Sequence, residues 1–492
     1  MTVASSPFAL DRQPVSALDG VRERVAAFAP LVSVLAMVAY WLGPLAWADG
    51  GRDPHVMTVG AMLTALAILA TRPHQVLSNA FVGMSAGVSL SAFAVALWAP
   101  TGWAGSSSAA RYACAAWAPA AVAALVRRRP ASLEPVAALL PLAAAAEFAQ
   151  GWLGWWGGGD PTHGMVGTFY WHNPFAAFLL PGALVGLWLW MTARRAIAMI
   201  GLLGFVFGST GIVYSTSRAT LACLGAGVIV AAVAVGTRAD RTAAVRGLLA
   251  LVAAAVVVKL IVGPPFFAHA GSVTGGIAAR AAGEPLAQNG LYRLDFWREA
   301  LVVFKAHPVI GGGYHSLVAE SIGRVPRDWP LSPFAHNGYL QALATGGLVL
   351  SVPFLGAAFS LIAVSARSLV TGLVRRRATL ATVVLPAVFL LACAHSAVDF
   401  DWAYPANMGL TGVVGGLALA ARDRRPEARK RDGGLSLRSG IVGVAVLLLA
   451  LAAWCGRNGD LRQNLPVRSD HSASAIVKDT TRMADSQVTT AR

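Results

Sequence analysis

The chain has 492 residues, of which 56% are hydrophobic and only 13% charged, and its mean hydropathy is +0.60. Soluble domains carry about 25% charged residues, so a soluble globular protein is excluded, and the ten-residue alternation that builds a membrane β-barrel is not seen. The net charge of +16 does not imply nucleic acid, because the basic residues cluster in short loops between apolar runs and form no stripe interleaved with aromatics.

Recurrent apolar runs, each long enough to cross about 30 Å of hydrocarbon, predict an all-α polytopic membrane protein. Residues 1–24 are polar and mixed in charge, with no short apolar stretch leading to a cleavage site. They read as a cytoplasmic segment, with the first span kept as an anchor. Thirteen candidate spans follow, at about 25–47, 55–71, 79–99, 110–126, 131–150, 174–192, 196–213, 217–236, 243–263, 337–365, 378–396, 402–421 and 440–455. The expected organisation is therefore transmembrane helices 1–9 over 25–263, a large loop over 264–335, helices 10–13 over 336–455 and a polar tail over 456–492. The last span is short, so the count is 12 or 13.

Loop charges orient these spans. One side carries Arg22 and Arg24, Arg72, Arg127 to Arg129, Arg194 and Arg195, Arg238, Arg241 and Arg246, Arg367, Arg375 to Arg377, and a dense run from Arg422 to Arg438. The alternation places the N-terminus in the cytoplasm and the loop 264–335 and the tail outside it. The tail is rich in Ser, Thr and Asp and reads as disordered. Cys114, Cys223, Cys393 and Cys455 fall in or at the ends of spans, without metal-ligand or disulfide spacing.

Five stretches carry candidate chemistry. The loop 151–173 is crowded with Gly, Trp and Tyr, which suits an interfacial aromatic belt or a sugar-stacking groove. Arg218, in "STSRAT", opens a span on the side where a positive charge is disfavoured. It is either an interfacial anchor or functional. Within 264–335, Leu291, Leu294, Trp297, Leu301 and Phe304 recur at helical spacing. This predicts an amphipathic helix on the outer membrane surface, ended by Pro308 and Gly311 to Gly313. Arg293 on that helix could grip a phosphate with its five donors, or snorkel, or pair with Asp295 or Glu299. His336 and Asn337 stand at the mouth of the next span. A histidine there is a proton acceptor near neutral pH, or a cap. His395 and Asp399 are four apart, so they share a helix face, either paired with each other or supporting the site. No metal-binding motif surrounds His336.

Taken in order, these stretches resemble the O-antigen ligase and Wzy-type O-antigen polymerase superfamily. "GTFYWHNPFAAFLL", "STSRAT", "YRLDFWREALVVFKAHPVIGGG", "AHNGYLQALATGGLVL" and "HSAVDFDWAYPAN" are each similar to a segment of that superfamily, and together they run from about Gly167 to Asn407. The resemblance implies transfer of a glycan from an undecaprenyl-diphosphate carrier to a hydroxyl of a glycan, lipid or protein acceptor, at the outer face of the bacterial inner (cytoplasmic) membrane. It implies His336 as the base, Arg218 and Arg293 on the diphosphate, and supporting roles for Asn337, Trp297, His395, Asp399 and Asn173. It also implies inversion at the anomeric carbon with neither metal nor cofactor. Trp171 and Pro174 depart from the pattern, leaving Asn173 alone of its polar positions. The motifs do not separate polymerase from ligase, since only the acceptor differs. A transporter or flippase of lipid-linked glycans is the rival reading. It would place ionisable groups at mid-membrane on broken helices, whereas here they gather at one face.

Overall fold

The computed structural model describes residues 17–43, 54–98, 106–156, 164–169, 171–261, 286–314, 316–326, 331–375 and 378–422. No strand occurs among them. The helices are α1 (Ala17–Trp41), α2 (Pro54–Thr71), α3 (Asn79–Trp98), α4 (Ser106–Arg128), α5 (Leu133–Trp156), α6 (His172–Thr192), α7 (Arg195–Ser215), α8 (Arg218–Arg238), α9 (Arg241–Ile261), α10 (Leu286–Ala306), α11 (Leu317–Ser321), α12 (Gly338–Val374), α13 (Ala381–Ser396) and α14 (Pro405–Ala421). Among the described residues eight helices are long and apolar enough to cross a membrane, and Ala27–Trp41, Ala381–Ser396 and Pro405–Ala421 are shorter apolar helices. Helices suit this setting because they satisfy their own backbone polar groups, which lipid cannot do.

Twelve of the expected spans each coincide with a helix. The thirteenth, 440–455, and the tail 456–492 lie outside the described residues. The first helix starts earlier than its apolar run, at Ala17, inside the segment expected to precede it.

Small residues let the helices approach closely. A Cβ on Gly186 of α6 would stand 2.6 Å from the Gly201 carbonyl oxygen of α7, and one on Gly201 would stand 2.6 Å from that of Gly186. The Ala-rich α4 is buried along most of its length, while α8 and α9 turn Ile229, Val233, Leu248 and Leu260 outward. Apolar side chains of that kind need no protein partner where lipid surrounds them.

One span departs from expectation. The run expected as 337–365 is the longer α12, and it is broken at Gly347, whose φ of 54° and ψ of −158° are not helical. The segment after α10 fills the break. Gly312 and Gly313 N–H donate to the carbonyls of Ala344 (2.9 Å) and Thr345 (3.0 Å), while Leu348 and Val349 N–H donate to those of Pro308 and Val309 (both 2.9 Å). The backbone groups freed by the break are thereby satisfied. Only glycine serves at 347: its φ is positive, and a Cβ would lie 2.5 Å from the Gly311 nitrogen and the Val309 carbonyl.

The helix expected within 264–335 is α10, ended at Ala306 ahead of Pro308. Its Leu291, Leu294 and Leu301 are exposed. Its opposite face buries Ala300 and Val303 against Leu317, Ala335 and Ala344. Residues 262–285 lie outside the described set.

Candidate functional site

The N-termini of α6, α8 and α12 and the C-terminus of α13 meet at one end of the bundle, under α10. His336 occupies the turn into α12 with a left-handed φ of 47°, a conformation that non-glycine residues keep only when their surroundings hold it. Three contacts do so. Trp297 Nε1 donates to the His336 carbonyl (3.3 Å), Gln341 Oε1 accepts the Ala335 N–H (2.7 Å), and Asn337 Oδ1 accepts the N–H groups of Tyr339 and Leu340 (both 3.0 Å). Asn337 is thus the N-cap of α12. The imidazole stacks on Phe296 at 5.0 Å and meets Phe400 edge-on at 4.6 Å.

Asp399 is the centre of the group. It is fully buried; one of its oxygens lies 3.7 Å from His336 Nδ1 and the other 3.4 Å from Arg293 Nη2. The Phe400 N–H also donates to it, at 2.8 Å. Burial, reinforced by the Asp401 carboxylate, pushes the Asp399 carboxyl up to about 6. Burial, and after it the Arg293 guanidinium, push His336 down to about 3, so its imidazole is neutral at pH 7. His336 Nδ1 has no hydrogen-bond partner among the described residues.

A second, deeper group backs the first. His395 Nδ1 lies 2.6 Å from Asp401 Oδ2, and its Nε2 lies 2.8 Å from Thr220 Oγ1, which meets Ser217 Oγ at 2.9 Å. The relay ends beside Arg218, the first residue of α8. Arg218 Nη1 is buried with no hydrogen-bond partner among the described residues, leaving a donor of a fixed cation unused.

Two sequence expectations are corrected here. His395 pairs with Asp401 and not with Asp399, because α13 ends at Ser396 and the chain turns before Asp399 could share a helix face. Arg293 pairs with Asp399 and with neither acid of its own helix. Arg298 takes Asp295 at 3.0 Å. Glu299 turns into the protein towards Ser321 and Ser332, where burial pushes its carboxyl up to about 7.

The structure thus joins His336, Arg293, Asp399 and Trp297 directly, and His395 and Arg218 through the relay. Asn173, half-buried in the first turn of α6, makes no hydrogen bond to these groups. Asn407 is the residue that ties this region down, donating from Nδ2 to the Pro174 carbonyl at 3.0 Å. Sequence reading passed over Glu147 of α5, which is fully buried and accepts the Thr168 N–H (2.7 Å) and hydroxyl (3.0 Å). It pins the loop before α6. An acid inside the apolar run "LAAAAEFAQ" was the available signal. Among the described residues no group of three or more His, Cys, Asp or Glu could hold a metal ion.

Fold and site together define a multi-pass membrane protein with a neutral histidine, a buried carboxylate and two arginines gathered at one end of its bundle. Residues 203–355 match the family model described as O-antigen ligase, a match over part of the chain that supports the O-antigen ligase/Wzy superfamily and a glycan-transfer role in polysaccharide biosynthesis. The matched segment contains Arg218, Arg293, Trp297, His336 and Asn337; Asn173, His395 and Asp399 fall outside it. No curated protein matches the chain.

Proposed function

We propose that this protein transfers a glycan from an undecaprenyl-diphosphate carrier to an acceptor hydroxyl, at the outer face of the bacterial cytoplasmic membrane. The observation that carries the reading is the shared carboxylate: Asp399 reaches His336 with one oxygen and Arg293 with the other. That arrangement couples a proton acceptor to a phosphate-binding cation.

In this reading His336 takes the proton of the acceptor hydroxyl. With Nδ1 turned to Asp399, Nε2 is the nitrogen left to meet the substrate. The acceptor oxygen attacks the anomeric carbon, and the bond from that carbon to the diphosphate oxygen breaks with inversion. Undecaprenyl diphosphate leaves with the electron pair. Asp399 stabilises the imidazolium that forms, and Arg218 and Arg293 take up the charge growing on the leaving diphosphate. In line with the resemblance, these arginines supply the positive charge without a metal. A site at the end of the bundle suits a carrier whose diphosphate lies at headgroup level and whose tail lies among lipid.

Purified protein with a labelled undecaprenyl-diphosphate glycan tests the reading. Transfer should be lost in His336→Ala while binding of the donor persists. Undiminished transfer in that variant removes His336 as the base. In cells lacking the protein, single repeats left on the carrier mark a polymerase, and long chains left on the carrier mark a ligase.

A further inference from the structure

A small polar cavity of about 10 Å³ lies where α6, α13 and α14 converge. Leu180 and Pro181 of α6 line it, and so do His395, Ser396, Asp401 and Asn407. Asp401 and Asn407 are each 3% exposed. One oxygen of each, Asp401 Oδ1 and Asn407 Oδ1, is buried with no hydrogen-bond partner among the described residues. Their other polar atoms are committed: Asp401 Oδ2 to His395 Nδ1 at 2.6 Å, and Asn407 Nδ2 to the Pro174 carbonyl at 3.0 Å. The Asn407 amide cannot be turned end for end, since its oxygen would then face the Pro174 carbonyl. Oδ1 is therefore an acceptor that needs a donor.

Among the described residues that line the cavity, no side chain has a donor to spare. Both His395 nitrogens are engaged, by Asp401 and by Thr220. The Ser396 hydroxyl turns to the Ala392 carbonyl (3.1 Å) and Asp401 Oδ2 (3.3 Å), and the Thr411 hydroxyl donates to the Asn407 carbonyl (2.8 Å). Two acceptors cannot satisfy each other, and buried polar groups are ordinarily paired with protein or with ordered water. One water carries two donors. The cavity, at about 10 Å³, matches the roughly 10–15 Å³ that one water needs and leaves room for nothing larger.

We propose that this cavity binds one ordered water that donates to Asp401 Oδ1 and Asn407 Oδ1, and that Asn407 acts through it as a positioning residue for the site. The water closes a hydrogen-bonded chain across four helices. The chain runs from the Pro174 carbonyl of α6 through Asn407 of α14, the water and Asp401 to His395 of α13, then through Thr220 to Ser217 beside Arg218 of α8. Asp401 stands two residues from Asp399, which meets His336 and Arg293. Fixing the first carboxylate fixes the turn that carries the second. The bearing on transfer rests on the glycan-transfer reading above; the water itself does not.

The test is an experimental structure of the full-length protein at a resolution that shows ordered water, for the parent and for Asn407→Leu. The parent should show one density feature within hydrogen-bond reach of both Asp401 Oδ1 and Asn407 Oδ1, and the variant should lose it. A direct O–H···O bond between Asp401 and Asn407, no density in the cavity, or a feature whose occupancy follows Na⁺ concentration would each overturn the proposal. Transfer kinetics read the positioning role. Asn407→Leu should lower kcat severalfold and leave KM for the donor little changed. Asn407→Ser also loses the bond to Pro174 but has a hydroxyl and room for water, so it should recover most of kcat. Equal losses in the two variants would assign the effect to the Pro174 bond and remove the positioning role. Should Asn407→Leu fail to fold, the parent structure still decides the water, and Asn407→Ser against the parent decides the role. Because the density requires no turnover, an active His336→Ala variant would remove the glycan-transfer reading and leave the water site to be judged on its own.

Discussion

Asp399 Oδ1 lies 3.7 Å from His336 Nδ1 although 63 positions separate the two residues in the chain. The turn between α13 and α14 delivers the carboxylate, and the turn into α12 delivers the ring. Burial and the Arg293 guanidinium keep that imidazole neutral, and in the proposed reaction the carboxylate behind it is the group that offsets the charge of a proton taken up on its exposed side.

Replacing His336 with Ala or Gln should lower the transfer rate by about 10²–10⁴-fold, the range for loss of a positioned general base. The check is single-turnover transfer from a labelled lipid-linked donor. A rate within threefold of the parent would reassign the base.

Arg293→Lys should lower kcat/KM about tenfold or more, although the charge is kept. The guanidinium holds Asp399 at 3.4 Å and has further donors in a fixed fork, which an ammonium cannot reproduce. Steady-state kinetics with varied donor will show this, and near-normal turnover would argue against diphosphate binding here.

Activity should fall as pH drops through about 6, where Asp399 takes up a proton and ceases to stabilise the imidazolium. His336 itself stays neutral down to about 3, so it does not set this limb. Asp399→Asn should lower activity and abolish the limb near pH 6, and a limb that persists unchanged would assign it to another group. Stability carries a separate signature of the opposite group. His336 is held below its ordinary 6.5, so the folded state binds fewer protons than the unfolded one between about 6.5 and 3. Its contribution is present above about 6.5 and is lost as pH falls towards 3. His336→Gln should flatten that part of the thermal-unfolding profile.

Gly347→Ala should destabilise the protein by about 2 kcal/mol or more, because the positive φ strains any L side chain and the added Cβ collides with Gly311 and Val309 backbone. The check is thermal unfolding in detergent. An unchanged midpoint would show that the break in α12 relaxes freely.

Substituting Asp401 with Ala should cost about 3–5 kcal/mol of stability, since a buried partner removed leaves the other uncompensated, and His395 is only 1% exposed. Thr220→Val should be milder, as it removes one hydrogen bond of the relay. Unfolding midpoints of the two variants give the ranking, and equal midpoints would place the pair outside the stabilising network.

Much of this protein was legible without its structure. Apolar run length is a local property, so twelve helices could be placed from residue order alone. The site was legible where a polar residue broke the apolar pattern: Arg218, Arg293, His336 and Asp399 each stood out because a charge or a titratable ring is costly near lipid. Pairings were a different matter. His395 and Asp399 share helical spacing, yet one residue lies inside α13 and the other beyond its end, so spacing alone suggested the wrong partner. The break at Gly347 was invisible because the hydrogen bonds that repair it come from Pro308 to Gly313, more than thirty residues earlier. Asn173 carried the polar pattern, and Asn407 makes the contact. Burial energetics act residue by residue along the chain, which is why the sequence by itself determined the class of protein and the candidate groups. Which carboxylate meets which cation depends on where separate helices end in space, and the tertiary structure alone decided it.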